Sequence, residues 1–268
     1  AFLAVREDSE LVIVHAMPRS SVLDDVFGVD GDLPARMRAV ARVRLAALAD
    51  AATQAGALRV RTETLEGSAH RTVADAAESF HPDLLVIGAH GKGALQQFFL
   101  GGTASRILAH AVCPVLVTRR EPTGDYCQAL AAVNLGPRSE AVLRAASIVA
   151  ARARVTAVHA YQAPFEAKLR YKGFSEEDIA WYSEPEARSA QRNVTALLAD
   201  PELFGLDLNI RIVHGHPNPV LFNVANELGA DLIVVGKHGG SRLEESVMGS
   251  ITRLLAYYAP CDVLMLID

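Results

Sequence analysis

Short, nearly unbroken apolar runs recur along the second half of the chain, separated by segments whose apolar residues return every three or four positions. The first pattern marks strands buried on both faces and the second marks amphipathic helices. Strands are predicted at Gln128–Leu135, Val155–His159, Leu208–Val213, Leu232–Val235 and Val263–Ile267. Helices are predicted at Ser139–Ala153, Glu186–Ala199 and Pro219–Leu228, with a last one inside Arg242–Ala259; Pro164 to Pro185 reads as a long polar connection. Strands alternating with helices predict βαβ units, a parallel sheet and a doubly wound α/β domain.

The first half carries the same series without its beginning. Ala1–Asp8 reads as the tail of a first helix and Glu10–Ala16 as a second strand. The expectation is that the first strand and most of the first helix are disordered or omitted, because removing a central strand would leave the middle of the sheet unpaired; the alternative is a genuinely shortened domain. Residues 83–120 align without a gap on residues 231–268, at an offset of 148: Asp83 on Asp231, Gly88 on Gly236, His90 on His238, Gly91 on Gly239, Gly101 on Gly249 and Cys113 on Cys261. A period this long is a duplicated domain rather than a solenoid. The expected domains are 1–120 and 126–268, joined through the polar Arg119–Asp125 stretch with its Pro and Gly.

Length agrees with that division, since 268 residues exceed the usual single domain. With 50% apolar and 21% charged residues, each half can bury a core. A net charge of −5 with no long basic run argues against a sequence-independent grip on nucleic acid. Three sparse cysteines point to a reducing, cytoplasmic setting rather than a disulfide framework. No apolar run reaches membrane-spanning length.

The chemistry gathers in the second half. Leu232–Val235 runs into Gly236-Lys237-His238-Gly239, and nine residues later Gly249-Ser250 opens another helical stretch. A strand end, a glycine turn and a helix N-terminus make an anion seat: glycines let the backbone come close, and free N–H groups and the helix dipole favour negative charge. Ser250 can add a hydroxyl donor. The spacing G-x2-G-x9-G-[ST] resembles the signature of the universal stress proteins that bind ATP, and the order of elements extends the resemblance over nearly the whole chain. It implies two Rossmann-like domains of the adenine nucleotide alpha hydrolase type, each with a mainly parallel five-stranded sheet. It further implies that Val235, Gly236, His238, Gly239, Gly249, Ser250, Ile251 and Thr252 line the phosphate and ribose side of an adenine nucleotide, ATP with or without Mg, and that Ala160 lies near the base. Where the family often carries an Asp after the first strand, this chain has Asn134. The first-half counterparts are Gly88, His90, Gly91, Gly101, Gly102 and Thr103, with Gly102 in place of the Ser or Thr.

Other residues carry weaker signals. His214-Gly215-His216 reads as a loop rather than a metal pair, and Cys113 and Cys261 as buried inert thiols. No Ser-His-Asp pattern, nucleophile elbow or Walker A sequence is present, so no catalysis is expected, and the resemblance implies a stress-response regulatory protein that binds ATP or a related nucleotide. The runner-up is a scaffold that binds no nucleotide. The resemblance implies that final strands pair edge to edge, here Val115–Thr118 with Val263–Ile267 as a pseudo-dimer within one chain, or between chains as a homodimer. The aromatics between Tyr161 and Tyr182 could form a lid, a partner surface or packing on their own domain.

Overall fold

A computed structural model describes residues 2–19, 33–91, 100–122, 124–237 and 249–267. The chain divides into two compact units, Ala1–Asp83 with Gly102–Val112, and Leu84–Gly101 with Cys113–Asp268.

In the first unit, α1 (Phe2–Arg6) precedes β1 (Glu10–Met17), α2 (Leu33–Gln54), β2 (Arg59–Glu66) and α3 (Ala69–Phe80), and α4 (Gly102–Ala109) packs on α3. Strands β1 and β2 form a two-stranded parallel sheet in register from Glu10↔Arg59 to Met17↔Glu66. The sequence of β2, RVRTETLE, is mostly polar rather than an apolar run, and none of its residues is fully buried.

The second unit holds a seven-stranded sheet. Its strands are β3 (Leu85–Gly88), β4 (Val115–Thr118), β5 (Gln128–Ala132), β6 (Arg154–Tyr161), β7 (Leu208–His214), β8 (Leu232–Gly236) and β9 (Asp262–Leu266), in the spatial order β3-β4-β9-β8-β5-β6-β7. The last five, β9-β8-β5-β6-β7, are the parallel doubly wound sheet expected for the second half. Its helices are α5 (Ser139–Val149), α6 (Glu166–Tyr171), α7 (Glu176–Leu198), α8 (Pro217–Leu228) and α9 (Ser250–Tyr258), with a 3-10 turn at Pro201–Leu203. Right-handed crossovers carry α5 and α7 to one face and α8 and α9 to the other. On the latter face Val220, Leu221, Val224 and Leu255 pack against Leu130, Val158, Ile233 and Val263. Each fully buried Leu, Ile or Val side chain there contributes about 1.5–3 kcal/mol.

The final strands of the two halves pair with each other: β4 runs antiparallel to β9, with Val115↔Met265, Leu116↔Leu264 and Val117↔Val263. Leu116 and Leu264 are also repeat equivalents, so a local two-fold axis passes between them. The four first-half strands therefore fall into two pairs, β1-β2 in one unit and β3-β4 in the other. Where the anticipated first strand of that half would lie, the chain provides no element among the described residues.

The polar connection expected from Pro164 to Pro185 is corrected by two helices. α7 begins ten residues before the predicted Glu186, because Ser175 caps it: the Asp178 amide donates to Ser175 Oγ at 3.1 Å and the Ser175 amide donates to Asp178 Oδ2 at 3.0 Å. This capping box, with Glu176, Glu177 and Asp178 in the first turn, outweighs the proline that reads as a boundary, and Pro185 lies inside the helix.

Candidate functional site

The carboxyl ends of β8, β5 and β6 lie side by side, with Ala132 of β5 beside both Val235 of β8 and Val158 of β6. From β5 the chain steps outward to β6 and β7 in one direction, while β8 and β9 fill the other side. The gap between β5 and β8 is thus the topological switch point, where ligands of open α/β sheets bind.

At the end of β8 the chain turns after Gly236. The Lys237 amide donates to the Leu266 carbonyl at 2.8 Å and the Gly249 amide donates to the Lys237 carbonyl at 3.0 Å. The second bond closes the turn and sets α9 directly after it, with Gly249 as N-cap and no side chain capping the helix. Ser250, exposed, is the first helical residue. His238 and Gly239 lie outside the described residues. Of the anticipated residues, Gly236, Gly249, Ser250, Ile251 and Thr252 therefore gather at one strand end and helix start, and Asn134 and Ala160 sit on the two neighbouring strands' ends.

Their side chains are unequally available. Val235 is buried in the core and Ile251 and Ala160 pack against it, so these three can offer little beyond backbone. Thr252 is buried, and its hydroxyl donates to the Gly236 carbonyl at 2.8 Å, which fastens α9 to β8. Asn134 Oδ1 accepts from the Gly136 amide at 3.0 Å and from Ser139 Oγ at 3.3 Å, an Asx-type turn beside Leu135, whose φ is 59°. His159 Nδ1 lies 3.0 Å from the Val133 carbonyl, which ties β6 to the end of β5. Ser250 is the hydroxyl left exposed. Lys237, buried between Gly236 and the turn, went unremarked in the sequence, although a cation inside a glycine turn is a readable signal.

The first-half copy repeats the closure at the same offset. The Ala89 amide donates to the Thr118 carbonyl at 2.8 Å and the Gly101 amide donates to the Ala89 carbonyl at 2.8 Å. Gly88, His90, Gly91 and Gly101 belong to the second unit, whereas Gly102 and Thr103, exposed at the start of α4, belong to the first. In the second half all the described counterparts share one unit.

The amino end of the sheet is held by carboxylates. Asp231 accepts from the Cys127 amide at 2.7 Å and the Gln128 amide at 3.0 Å. Asp262 accepts from the Arg119 amide at 2.7 Å and the Tyr126 hydroxyl at 2.8 Å. Burial, and next the charge of Asp262, pushes the Tyr126 hydroxyl well above its ordinary range. The Cys261 thiol, desolvated and beside Asp262, is pushed up to about 12, and stays a thiol at neutral pH.

A cluster that sequence reasoning missed lies at the carboxyl ends of β6 and β7. Glu166 is buried, and its carboxylate accepts from the Ala163 amide at 2.6 Å and Ser183 Oγ at 2.5 Å, with His214 Nε2 at 2.9 Å. Burial opposes its charge, but these bonds outweigh that and leave the carboxyl below its ordinary range. His214 is thereby a latch for α6, and His216, which caps α8 by accepting from the Asn218 amide, is a helix cap. Among the described residues no group of three His, Cys, Asp or Glu could hold a metal ion, and no helix is long and apolar enough to cross a membrane.

Comparison with known proteins agrees with this architecture. The Universal stress protein family profile matches the chain twice, over residues 1–119 and 126–266. A universal stress protein of Mycobacterium tuberculosis is 28% identical over 189 residues, covering 68% of this chain and 61% of the relative. One from Methanocaldococcus jannaschii is 38% identical over 63 residues, 24% of this chain and 37% of that protein. Among solved structures, a universal stress protein from Archaeoglobus fulgidus superposes with a TM-score of 0.68 at 15% identity, covering 99% of this chain and 91% of that one, a likeness of fold. The chain belongs to the universal stress protein family, as a tandem of two of its domains.

Proposed function

We propose that the chain is a stress-response regulatory protein that binds an adenine nucleotide, ATP or a relative of it, in its second half, with hydrolysis slow or absent. The observation that carries this reading is the start of α9: a helix N-terminus without a side-chain cap, opened by Gly249 and the exposed Ser250, at the switch point of a doubly wound sheet. Backbone N–H groups and the positive end of the helix dipole suit a phosphate there. The Asn134 side-chain nitrogen and the backbone groups at the ends of β5 and β6 suit a ribose and a base. No general base stands against the seat among the described residues, which favours occupancy over turnover. Any magnesium would be held chiefly by the nucleotide's own phosphates.

A second reading is favoured by a specific observation: the Asn134 oxygen and the Thr252 hydroxyl are already bonded within the protein, as in a scaffold whose glycines serve the fold alone. Mass-spectrometric identification of small molecules released on denaturing the purified protein separates the two. About one adenine nucleotide per chain supports the binding reading. None, together with no heat on titration with ATP and magnesium, overturns it and leaves the scaffold.

A further inference from the structure

The two glycine turns bury different residues in the same place. Lys237 and Ala89 are repeat equivalents, and each makes the same two backbone bonds. Its amide donates to the last strand of its half, and its carbonyl accepts from the glycine that precedes the next helix. Ala89 is 1% exposed and Lys237 7%. A methyl group therefore suffices to close this turn, and closure does not explain a lysine.

Burying an ammonium is unfavourable unless a counter-charge or hydrogen bonds replace the water it leaves. Among the described residues, the Lys237 side chain forms no ion pair and no hydrogen bond. Strand register sets its direction. Ile233 and Val235 pack with Val224 of α8 and Leu255 of α9. The Lys237 amide still continues the β8–β9 ladder, on the Leu266 carbonyl at 2.8 Å. Alternation along the strand therefore turns the Lys237 side chain to the face that carries α9. The Gly249 amide, on the Lys237 carbonyl at 3.0 Å, sets the first turn of that helix beside it. A helix start is itself positive, and no side chain caps this one. Two positive sources thus converge, and the described residues bring no anion to them.

We propose that Lys237 is the phosphate-binding cation of the second-half seat and makes that seat selective for polyphosphates, so that a nucleoside triphosphate is held in preference to a monophosphate. This rests on the reading that an adenine nucleotide binds there. The ammonium brings three donors and no acceptor, and as a compact point charge it suits phosphate oxygens. A triphosphate carries more negative charge to a fixed cation than a monophosphate does, and in a site shielded from water that difference is little screened. The first-half turn, with Ala89 in this position, has no such cation and no such preference.

The test is calorimetry with ATP, AMP and inorganic tripolyphosphate on the whole chain, on Lys237→Met and on Lys237→Ala. Met keeps the apolar stem and removes the charge, and Ala is the residue of the other turn. Affinity for ATP and for tripolyphosphate should fall by roughly tenfold or more in both variants, and affinity for AMP should fall less. The Tm of the ligand-free protein should rise by about 2–4 °C in Lys237→Met, because an uncompensated buried charge is removed. A lysine that serves the fold alone behaves otherwise: its replacement lowers the Tm and leaves the ratio of ATP to AMP affinity as it was, and either result overturns the proposal. If ATP binds all three chains equally, the nucleotide reading stands and the role of Lys237 falls. If tripolyphosphate binds through Lys237 while no adenine nucleotide binds, the cation seat stands and the nucleotide reading falls. Binding of neither removes both.

Discussion

The two glycine turns of this chain share a backbone and differ in what surrounds it. Gly101 on Ala89 repeats Gly249 on Lys237, and Ala89 on Thr118 repeats Lys237 on Leu266, bond for bond at one offset. The second turn sits at the switch point of a complete five-stranded sheet with β5 and β6 alongside. The first stands at the end of β3, which among the described residues pairs only with β4, and its helix start belongs to the other compact unit. The glycine pattern is therefore a rule for closing a strand onto a helix, and the proposed nucleotide seat needs the neighbouring strands as well.

The strongest way to break the comparison is through the pair that relates the halves. Leu116 and Leu264 are 2% and 1% exposed, cross-paired and repeat-equivalent. Changing either to Ala should cost about 2–5 kcal/mol, and denaturant unfolding should show the two losses to be alike. Very unequal losses would mean that the local two-fold symmetry does not extend to packing.

Next comes the cluster with no described counterpart in the first half. Glu166→Ala leaves the Ala163 amide and His214 Nε2 without their partner, while Ser183 Oγ keeps the Ile179 carbonyl at 2.8 Å, a loss of about 1–3 kcal/mol. The pH dependence follows from the lowered carboxyl. In the folded protein it titrates below its ordinary value of 4.5, so its stabilisation is present above that value and disappears as pH falls through the folded one. Acid unfolding of Glu166→Gln should lack this component, and proteolysis within residues 162–175 should speed up in both variants.

Gly249→Asp addresses the proposed site with a substitution that the backbone dihedrals at that position allow. Gly249 has φ −54° and ψ 148°, which any residue adopts, and Asp is a favourable N-cap. Its carboxylate, however, occupies the phosphate seat, so nucleotide affinity measured by calorimetry should fall at least tenfold, about 1.4 kcal/mol. Gly101→Asp should leave that affinity unchanged. If Gly101→Asp abolishes binding instead, the assignment of halves is reversed.

The smallest effect sharpens the contrast. A Cβ at Gly102 meets nothing within 4 Å, so Gly102→Ser gives α4 the residue that opens α9 and removes the entropy cost of a helical glycine. Stability should rise by up to about 0.5–1 kcal/mol, read as a higher Tm.

Much of this was legible in the chain. Apolar runs placed β5 to β9 within a few residues, and the offset of 148 announced the duplication. The amino end of α7 was misplaced because Pro185 is a louder signal than the capping box of Ser175 and Asp178, although that box is local and readable. The Glu166–His214 contact was not readable, because its partners are 48 residues apart and no periodicity relates them. Nor was the engagement of Asn134, whose oxygen closes its own turn.

What the sequence determined by itself is everything set by short range and by repetition: strand and helix periods, the glycine turn and the family. Such signals come from backbone sterics and one-sided burial, which each segment carries wherever it lies. The tertiary structure alone decided which edges meet, which polar groups are consumed and which remain. It placed β9 between β8 and β4, tied the Thr252 hydroxyl to Gly236 and left Ser250 and Trp181 facing outward. Those outcomes depend on long-range hydrogen bonds and shared burial, and a residue's partners in them are fixed only when distant segments have packed.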